Sequence, residues 1–301
     1  MAAEVISYYK NVITIGNRDG MKDFSHTDRL IKMALFEDLR AAGDITSDAI
    51  FGKEAFSYKL VSKDNGILCG IGIFRRVMTI VDPLIEVRSA YKDRDMIKNG
   101  DIIADVSGPV KSILKAERTA LNLLSHLSGI ATRTALFAAQ TGGRSKILDT
   151  RKTLPGYREL QKYAVLCGGG ENHRMGLYDM VMIKDNHSDA AGGIAAAVAR
   201  VRSAHGTSYK VEVEARNINE VRQAIDAGAD RIMLDNMSID DMKKSVEIIG
   251  GRAETEASGN MTLERIREVS MTGVNYISAG ELTHSVRAFD FSLKEINTGS
   301  K

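Results

Sequence analysis

From residue 146 onward the chain alternates short apolar runs with longer amphipathic stretches. The runs Lys146–Asp149, Met180–Ile183, Lys210–Val213, Arg231–Leu234, Ala253–Glu256 and Val274–Ile277 have the length and boundaries of buried strands. Helical periodicity fills the intervals, as at Ala190–Ser203, Ile218–Ala227, Ile239–Ile249 and Leu263–Ser270. The later units recur about every 20–22 residues, tight for strand–helix pairs, which favours a barrel over an open sheet. Six strands are visible, against the eight of a complete TIM barrel. A TIM-like α/β barrel, complete or open, is therefore expected over residues 117–286.

The first half reads differently. Residues 1–24 carry no firm pattern and suggest an extension. Ser25 and Asp28 precede Leu30, Ile31, Ala34 and Leu35, a helix start followed by one apolar face that Gly43-Asp44 ends. Asp44 and Thr46 suit turn or capping roles. Short β-rich runs follow at Tyr58–Val61, Leu84–Val87 and Ile102–Val106, with glycine turns at Gly66, Gly100 and Gly108. This predicts an N-terminal α/β sandwich-like domain over 1–116, joined by the C-terminal segment 287–301, whose Ala288–Leu293 run returns to its sheet. A long helix is expected from Glu117 to about Gln140, with Leu121, Leu124, Leu127 and Ile130 on one side. Arg118 would then sit in the first turn, where the helix dipole disfavours a cation, and that misfit hints at a ligand role. His126 reads as a packed histidine.

Composition narrows the class. A net charge of +2 gives no global basic field for nucleic acid. No apolar run approaches the roughly 18 residues of a membrane span. Ser7–Lys10 and Asn17–Gly20 interrupt the opening segment too early for a signal peptide. Cys69 and Cys167, far apart in sequence, fit a reducing compartment, so a cytoplasmic enzyme is expected. Cys167 reads as a small packed residue, since no base lies near it in sequence.

In alternating β/α folds the carboxyl ends of strands carry the chemistry. Here they supply Arg151 and Lys152, then Lys184, Glu214, Asp235 with Asn236, Ser258-Gly259-Asn260 and Ser278-Ala279-Gly280. Parallel strands would gather all of these at one mouth. The two small-residue turns lead into helices and so offer backbone N–H groups to phosphate. His173 and Arg174, beside the triple glycine Gly168–Gly170, complete the densest cation cluster in the chain. Arginine forks pair carboxylates, whereas lysine is a compact charge suited to phosphate. Glu214 and Asp235 admit two readings: salt bridges to Lys184 or Arg151, or ligands for Mg²⁺ and sugar hydroxyls. Arg158 and Lys162, sharing a helix with Glu159, read as solvated, and Asp185, Asn186 and His187 as orienting the Lys184 segment.

The blocks DTRKTLPG (149–156), CGGGENHRMGLYDMVMIKDNH (167–187), ERTALNLLSHLSGIAT (117–132), VEVE (211–214), IMLDN (232–236), EASGN (256–260) and ISAGELTHS (277–285) resemble the decarboxylating quinolinate phosphoribosyltransferases, also called nicotinate-nucleotide pyrophosphorylases. The resemblance implies an open barrel beside a sandwich domain. It also implies transfer of a phosphoribosyl group from phosphoribosyl pyrophosphate to quinolinate, with Mg²⁺ as cofactor. By the same resemblance Arg118 (from a neighbouring subunit), Arg151, His173, Arg174 and Lys184 surround the dicarboxylate, and Lys152 supports pyrophosphate. Lys152, Lys184, Glu214 and Asp235 would form the catalytic set, with the two acids at the metal and ribose. Ser258, Gly259, Asn260, Ser278, Ala279 and Gly280 would take the 5′-phosphate. The implied assembly is a homodimer with shared sites, or a hexamer built as a trimer of dimers. Two rivals stand beside it: a Schiff-base lyase with Lys184 as nucleophile, and a non-catalytic anion-binding module. The arginine cluster argues against the first and the strand-end acids against the second.

Overall fold

The computed structural model describes residues 25–296. The extension expected over 1–24 and the last five residues lie outside them.

The N-terminal part begins with helices α1 (Ser25–Leu39) and α2 (Ile45–Ile50). Asp44 caps α2, accepting from Thr46 N at 3.1 Å and Ser47 N at 3.0 Å, as its position suggested. A four-stranded antiparallel sheet follows, built from β1 (Ala55–Ser62), β3 (Glu86–Ser89), β5 (Ile102–Pro109) and the C-terminal β12 (Phe291–Glu295) in the order β12-β1-β5-β3. The chain end thus returns to the N-terminal sheet, with Leu60 opposite Leu293. A minor ribbon of β2 (Gly66–Ile67) and β4 (Met96–Ile97) and the helix α3 (Ile71–Val81) complete this part.

Helix α4 runs unbroken from Val110 to Thr141 and its buried face carries Leu121, Leu124, Leu127 and Ile130. Its start precedes the expected Glu117 because Pro109, at the N-cap, is where the sheet ends and nothing in 110–116 opposes helix. The boundary expected at 116/117 therefore falls inside a helix. Arg118 lies about two turns in, so the first-turn dipole argument for it does not hold.

The C-terminal part is a six-stranded parallel sheet in the order β6-β11-β10-β9-β8-β7. Its strands are β6 (Lys146–Leu148), β7 (Val181–Ile183), β8 (Val211–Ala215), β9 (Arg231–Asp235), β10 (Glu254–Ser258) and β11 (Tyr276–Ser278). β6 pairs with the last strand, β11, while β6 and β7 do not pair, so the TIM-like barrel is open between them. At that opening Glu171 forms a single parallel bridge with Leu148. Helices α5 (Arg158–Cys167), α6 (Asp185–Ala191), α7 (Ile194–His205), α8 (Ile218–Asp226), α9 (Ile239–Ile249), α10 (Leu263–Ser270) and α11 (Glu281–His284) lie between the strands. Among the described residues no helix is long and apolar enough to cross a membrane.

Gly168 and Gly170 have a packing role. A Cβ on Gly168 would sit 2.3 Å from Ala131 O, and one on Gly170 2.8 Å from the Val165 side chain. The glycines let the end of α5 press against α4; they are not in the lining of the cavity described below. Cys167, buried beside them, is unbridged. Its Sγ, the Cys69 Sγ and an Asp93 carboxylate oxygen lie within 4.8 Å of one another.

Candidate active site

The parallel strands end at one cavity of about 1010 Å³. Arg151, Lys152, His173, Arg174, Lys184, Glu214, Asp235, Ser258, Gly259, Asn260, Ser278 and Gly280 all line it. Two expected residues do not. Ala279 is buried, and its N–H donates to Leu148 O at 3.0 Å, so it ties β11 to β6 and has no N–H left for phosphate. Arg118 is exposed on α4 and lines a separate hollow with Glu37, Asp38, Asn122, His126 and Tyr157.

One end of the cavity is built from charge. Arg174 donates to Met180 O at 3.1 Å, and burial, then the neighbouring Arg151 cation, holds its pKa below the usual guanidinium value. Arg151 Nε is buried without a hydrogen-bond partner. Like charges packed together with an unsatisfied donor are costly unless an anion completes them. Lys184 directly follows β7, its Nζ donating to Glu214 Oε2 at 3.1 Å. His187 Nδ1 accepts from the Lys184 N–H at 3.0 Å, so the segment after the lysine orients it as expected.

Beneath this end lies a buried charged layer that the sequence reading missed. Glu212 and Glu214, two residues apart on β8, point to the same side of the sheet. Glu212, Glu256 and His173 form a buried group, with His173 Nε2 at 3.0 Å from Glu212 and 3.4 Å from Glu256. Arg231 adds a bond to Glu256 at 3.2 Å. Burial opposes charge on His173, but the two carboxylates more than offset it and push the imidazole up to about 9. Burial, then repulsion from Glu256, pushes Glu212 up to about 7. His173 Nδ1 accepts from Arg174 N at 2.7 Å, which argues against a proton on that nitrogen. With Nδ1 as acceptor the ring proton sits on Nε2, toward Glu212, and a neutral imidazole beside an ionised Glu212 leaves one negative charge. The imidazolium that the two carboxylates favour cancels it once the Arg174 contact opens. A carboxylate inside an otherwise apolar strand, as Glu212 is, was the available signal.

Lys162 corrects a second expectation. It is not solvated: it and Asp149 are both fully buried and ion-paired. Burial pushes Asp149 up to about 6 and Lys162 down, while their attraction opposes both shifts. Arg158 is half-buried and donates to Thr153 Oγ1 at 3.0 Å and Met175 O at 3.2 Å.

The other end is built from backbone. Gly259 has φ +95°, and a Cβ there would lie 2.1 Å from Asn236 Oδ1. Asn236 and Asn260 also adopt left-handed φ values of 52° and 47°. Such conformations cost free energy and concentrate where a loop must approach a ligand closely. Lys152 leans over the other turn, its Cδ 3.0 Å from where a Gly280 Cβ would be. Glu281, paired with Arg133, and His284 also line this end, and neither was singled out in the sequence.

Two family models match: "Quinolinate phosphoribosyl transferase, C-terminal domain" over residues 130–294 and its N-terminal domain counterpart over 44–128. The probable nicotinate-nucleotide pyrophosphorylase [carboxylating] of Bacillus subtilis is 43% identical over 266 residues, covering 88% of this chain and 92% of its own length. The chloroplastic nicotinate-nucleotide pyrophosphorylase [carboxylating] of Arabidopsis thaliana is 44% identical, covering 91% and 85%. The crystal structure of NadC from Streptococcus pyogenes superposes with a TM-score of 0.88 at 39% identity, covering 91% of this chain and 99% of that one.

Proposed function

The chain belongs to the quinolinate phosphoribosyltransferase family, and from that premise we propose how its barrel mouth carries out the family's reaction. It is a decarboxylating quinolinate phosphoribosyltransferase: the phosphoribosyl group of phosphoribosyl pyrophosphate passes to quinolinate, giving nicotinate mononucleotide, pyrophosphate and carbon dioxide for NAD biosynthesis. The observation that carries the assignment of parts is that one cavity holds a cation-built end and a backbone-built end with two carboxylates among its lining.

Arg151, His173, Arg174 and Lys184 receive the two ring carboxylates, and the unpartnered Arg151 Nε gains an acceptor there. The Ser258–Asn260 turn, with Ser278 and Gly280, receives the 5′-phosphate. Lys152, beside Gly280, meets the pyrophosphate as a compact charge. Glu214 and Asp235 face the ribose, where a carboxylate stabilises the positive charge that builds on the sugar carbon as pyrophosphate departs. Lys184, 3.1 Å from Glu214 Oε2, fixes the direction of that carboxylate. The ring nitrogen then attacks, becomes cationic, and accepts the electron pair released when the adjacent carboxylate leaves as carbon dioxide. A proton replaces it on that carbon.

Neither Glu214 nor Asp235 belongs to a group of three or more metal-ligating side chains among the described residues. Two carboxylates fit Mg²⁺ when substrate oxygens complete its shell, which is how that ion is usually held. When bound, Mg²⁺ would neutralise charge on the leaving pyrophosphate.

Arg118, outside the cavity of its own chain, is assigned to a partner's site, which makes the unit a homodimer, alone or within a hexamer. The cytoplasm is the assigned location, in keeping with two unbridged cysteines.

Turnover tests the function directly. With quinolinate, phosphoribosyl pyrophosphate and Mg²⁺, pyrophosphate and carbon dioxide should appear in equal amounts, and nicotinate should not replace quinolinate. Release of neither product would keep the fold and overturn the substrate.

A further inference from the structure

The buried pair Asp149–Lys162 lines no part of the cavity, yet it touches both halves of the cation cluster. Asp149 is followed directly by Thr150, Arg151 and Lys152. Its Oδ1 accepts from the Lys162 Nζ and, at 2.9 Å, from the His173 N–H. Lys162 Nζ donates in turn to His173 O at 2.9 Å. Both backbone polar groups of His173 are therefore held by the pair. Asn172, with its amide nitrogen turned toward acceptors, adds bonds to Asp149 Oδ2 at 2.6 Å and Lys162 O at 3.0 Å. One compact network fixes the 172–174 segment to the end of β6.

Stability gives a poor reason for such a pair. Replacing a buried ion pair by well-packed apolar groups is often neutral or stabilising, so its presence asks for another role. The cavity supplies one. Arg151 and Arg174 belong to the two segments that the network joins, and they repel each other while the site is empty. Without a rigid tie the repulsion would spread them, and the geometry needed for a planar dicarboxylate would be lost before it bound.

We propose that Asp149 and Lys162 are positioning residues for the dicarboxylate end, setting the spacing between Arg151 and His173–Arg174. This rests on the assignment of that end to quinolinate. The pair acts through the segments it holds and touches no substrate.

The test compares wild type with Lys162→Met and Asp149→Asn, the latter nearly isosteric and still able to accept from the His173 N–H. KM is measured for each substrate, and the affinity for phthalate, an unreactive aromatic 1,2-dicarboxylate, by titration calorimetry. The expected result is a rise of ~10-fold or more in KM for quinolinate and in the phthalate dissociation constant, with KM for phosphoribosyl pyrophosphate within about 2-fold of wild type. Unchanged values for both substrates, or equal rises in both, would overturn the proposal, the second showing a merely structural role. If Lys162→Met does not fold, Asp149→Asn decides by the same criterion. Wild-type turnover separates the failures: an active wild type with unmoved variants sinks the positioning role alone, whereas a wild type inactive on quinolinate sinks the assignment beneath it.

Discussion

The two ends of the cavity are built by opposite means. At the end proposed for the dicarboxylate, long charged side chains line the cavity over a buried layer of paired charges, Asp149–Lys162 and His173–Glu212–Glu256–Arg231. At the end proposed for the phosphate the backbone is bent into left-handed conformations at Asn236, Gly259 and Asn260. The first end is sensitive to charge and pH; the second is sensitive to a single added methyl group. Preorganisation is bought with ion pairs in one case and with backbone strain in the other.

The largest effect should come from Arg151→Ala. Truncating one member of a desolvated, charge-assisted contact costs about 2–5 kcal/mol, so kcat/KM for quinolinate should fall by ~30-fold to several thousand-fold with little change in KM for phosphoribosyl pyrophosphate. Steady-state kinetics with each substrate varied in turn measures the split. Gly259→Ala should act in mirror image. Its Cβ meets Asn236 at 2.1 Å and its φ of +95° strains any side chain, so KM for phosphoribosyl pyrophosphate should rise by ~10-fold or more while that for quinolinate holds.

Arg118→Ala and Arg151→Ala chains, each nearly inactive alone, should regain part of the wild-type rate when mixed as verified heterodimers, since one shared site would then be intact. Heterodimers without recovery would place Arg118 outside the site.

A pH effect should follow at the charged end alone. The His173 imidazole ordinarily titrates at 6.5 and here at about 9, so its contribution to stability is complete below 6.5 and lost as pH rises through about 9. Loss of the proton leaves net negative charge under the dicarboxylate, and KM for quinolinate should climb above that pH while KM for phosphoribosyl pyrophosphate changes less. The smallest effect is a control remote from both ends: Asp44→Ala removes the cap of α2 and should cost ~1 kcal/mol in urea denaturation with both KM values unmoved.

Much of this was legible in the residues because it depends on local pattern. Apolar runs ending in Arg151-Lys152, Lys184, Asp235 and Ser258 marked six strands and the mouth they share, and the resemblance in those blocks pointed to the reaction. What escaped depends on distant partners. Lys162 looks solvated beside Arg158 and Glu159; only the fold shows that Asp149, 13 residues away, meets it in the interior. Glu212 and Glu256 lie inside strand runs whose pattern names no partner, although a buried acid must find one. The glycines of 168–170 stand beside the cations His173 and Arg174 in sequence, whereas Gly168 and Gly170 serve a helix contact that no sequence spacing reveals. Helix α4 starts seven residues before the expected Glu117, because the turn at Gly108 gives no sign that helix begins directly after Pro109.

Equilibrium binding separates the two ends of the cavity. Phthalate and phosphoribosyl pyrophosphate with Mg²⁺ would each be titrated into wild type, Arg151→Ala and Gly259→Ala. The account predicts that Arg151→Ala loses phthalate and keeps phosphoribosyl pyrophosphate, and that Gly259→Ala does the reverse. Loss of both ligands in either folded variant would mean that the two ends are one site, and the account would be wrong.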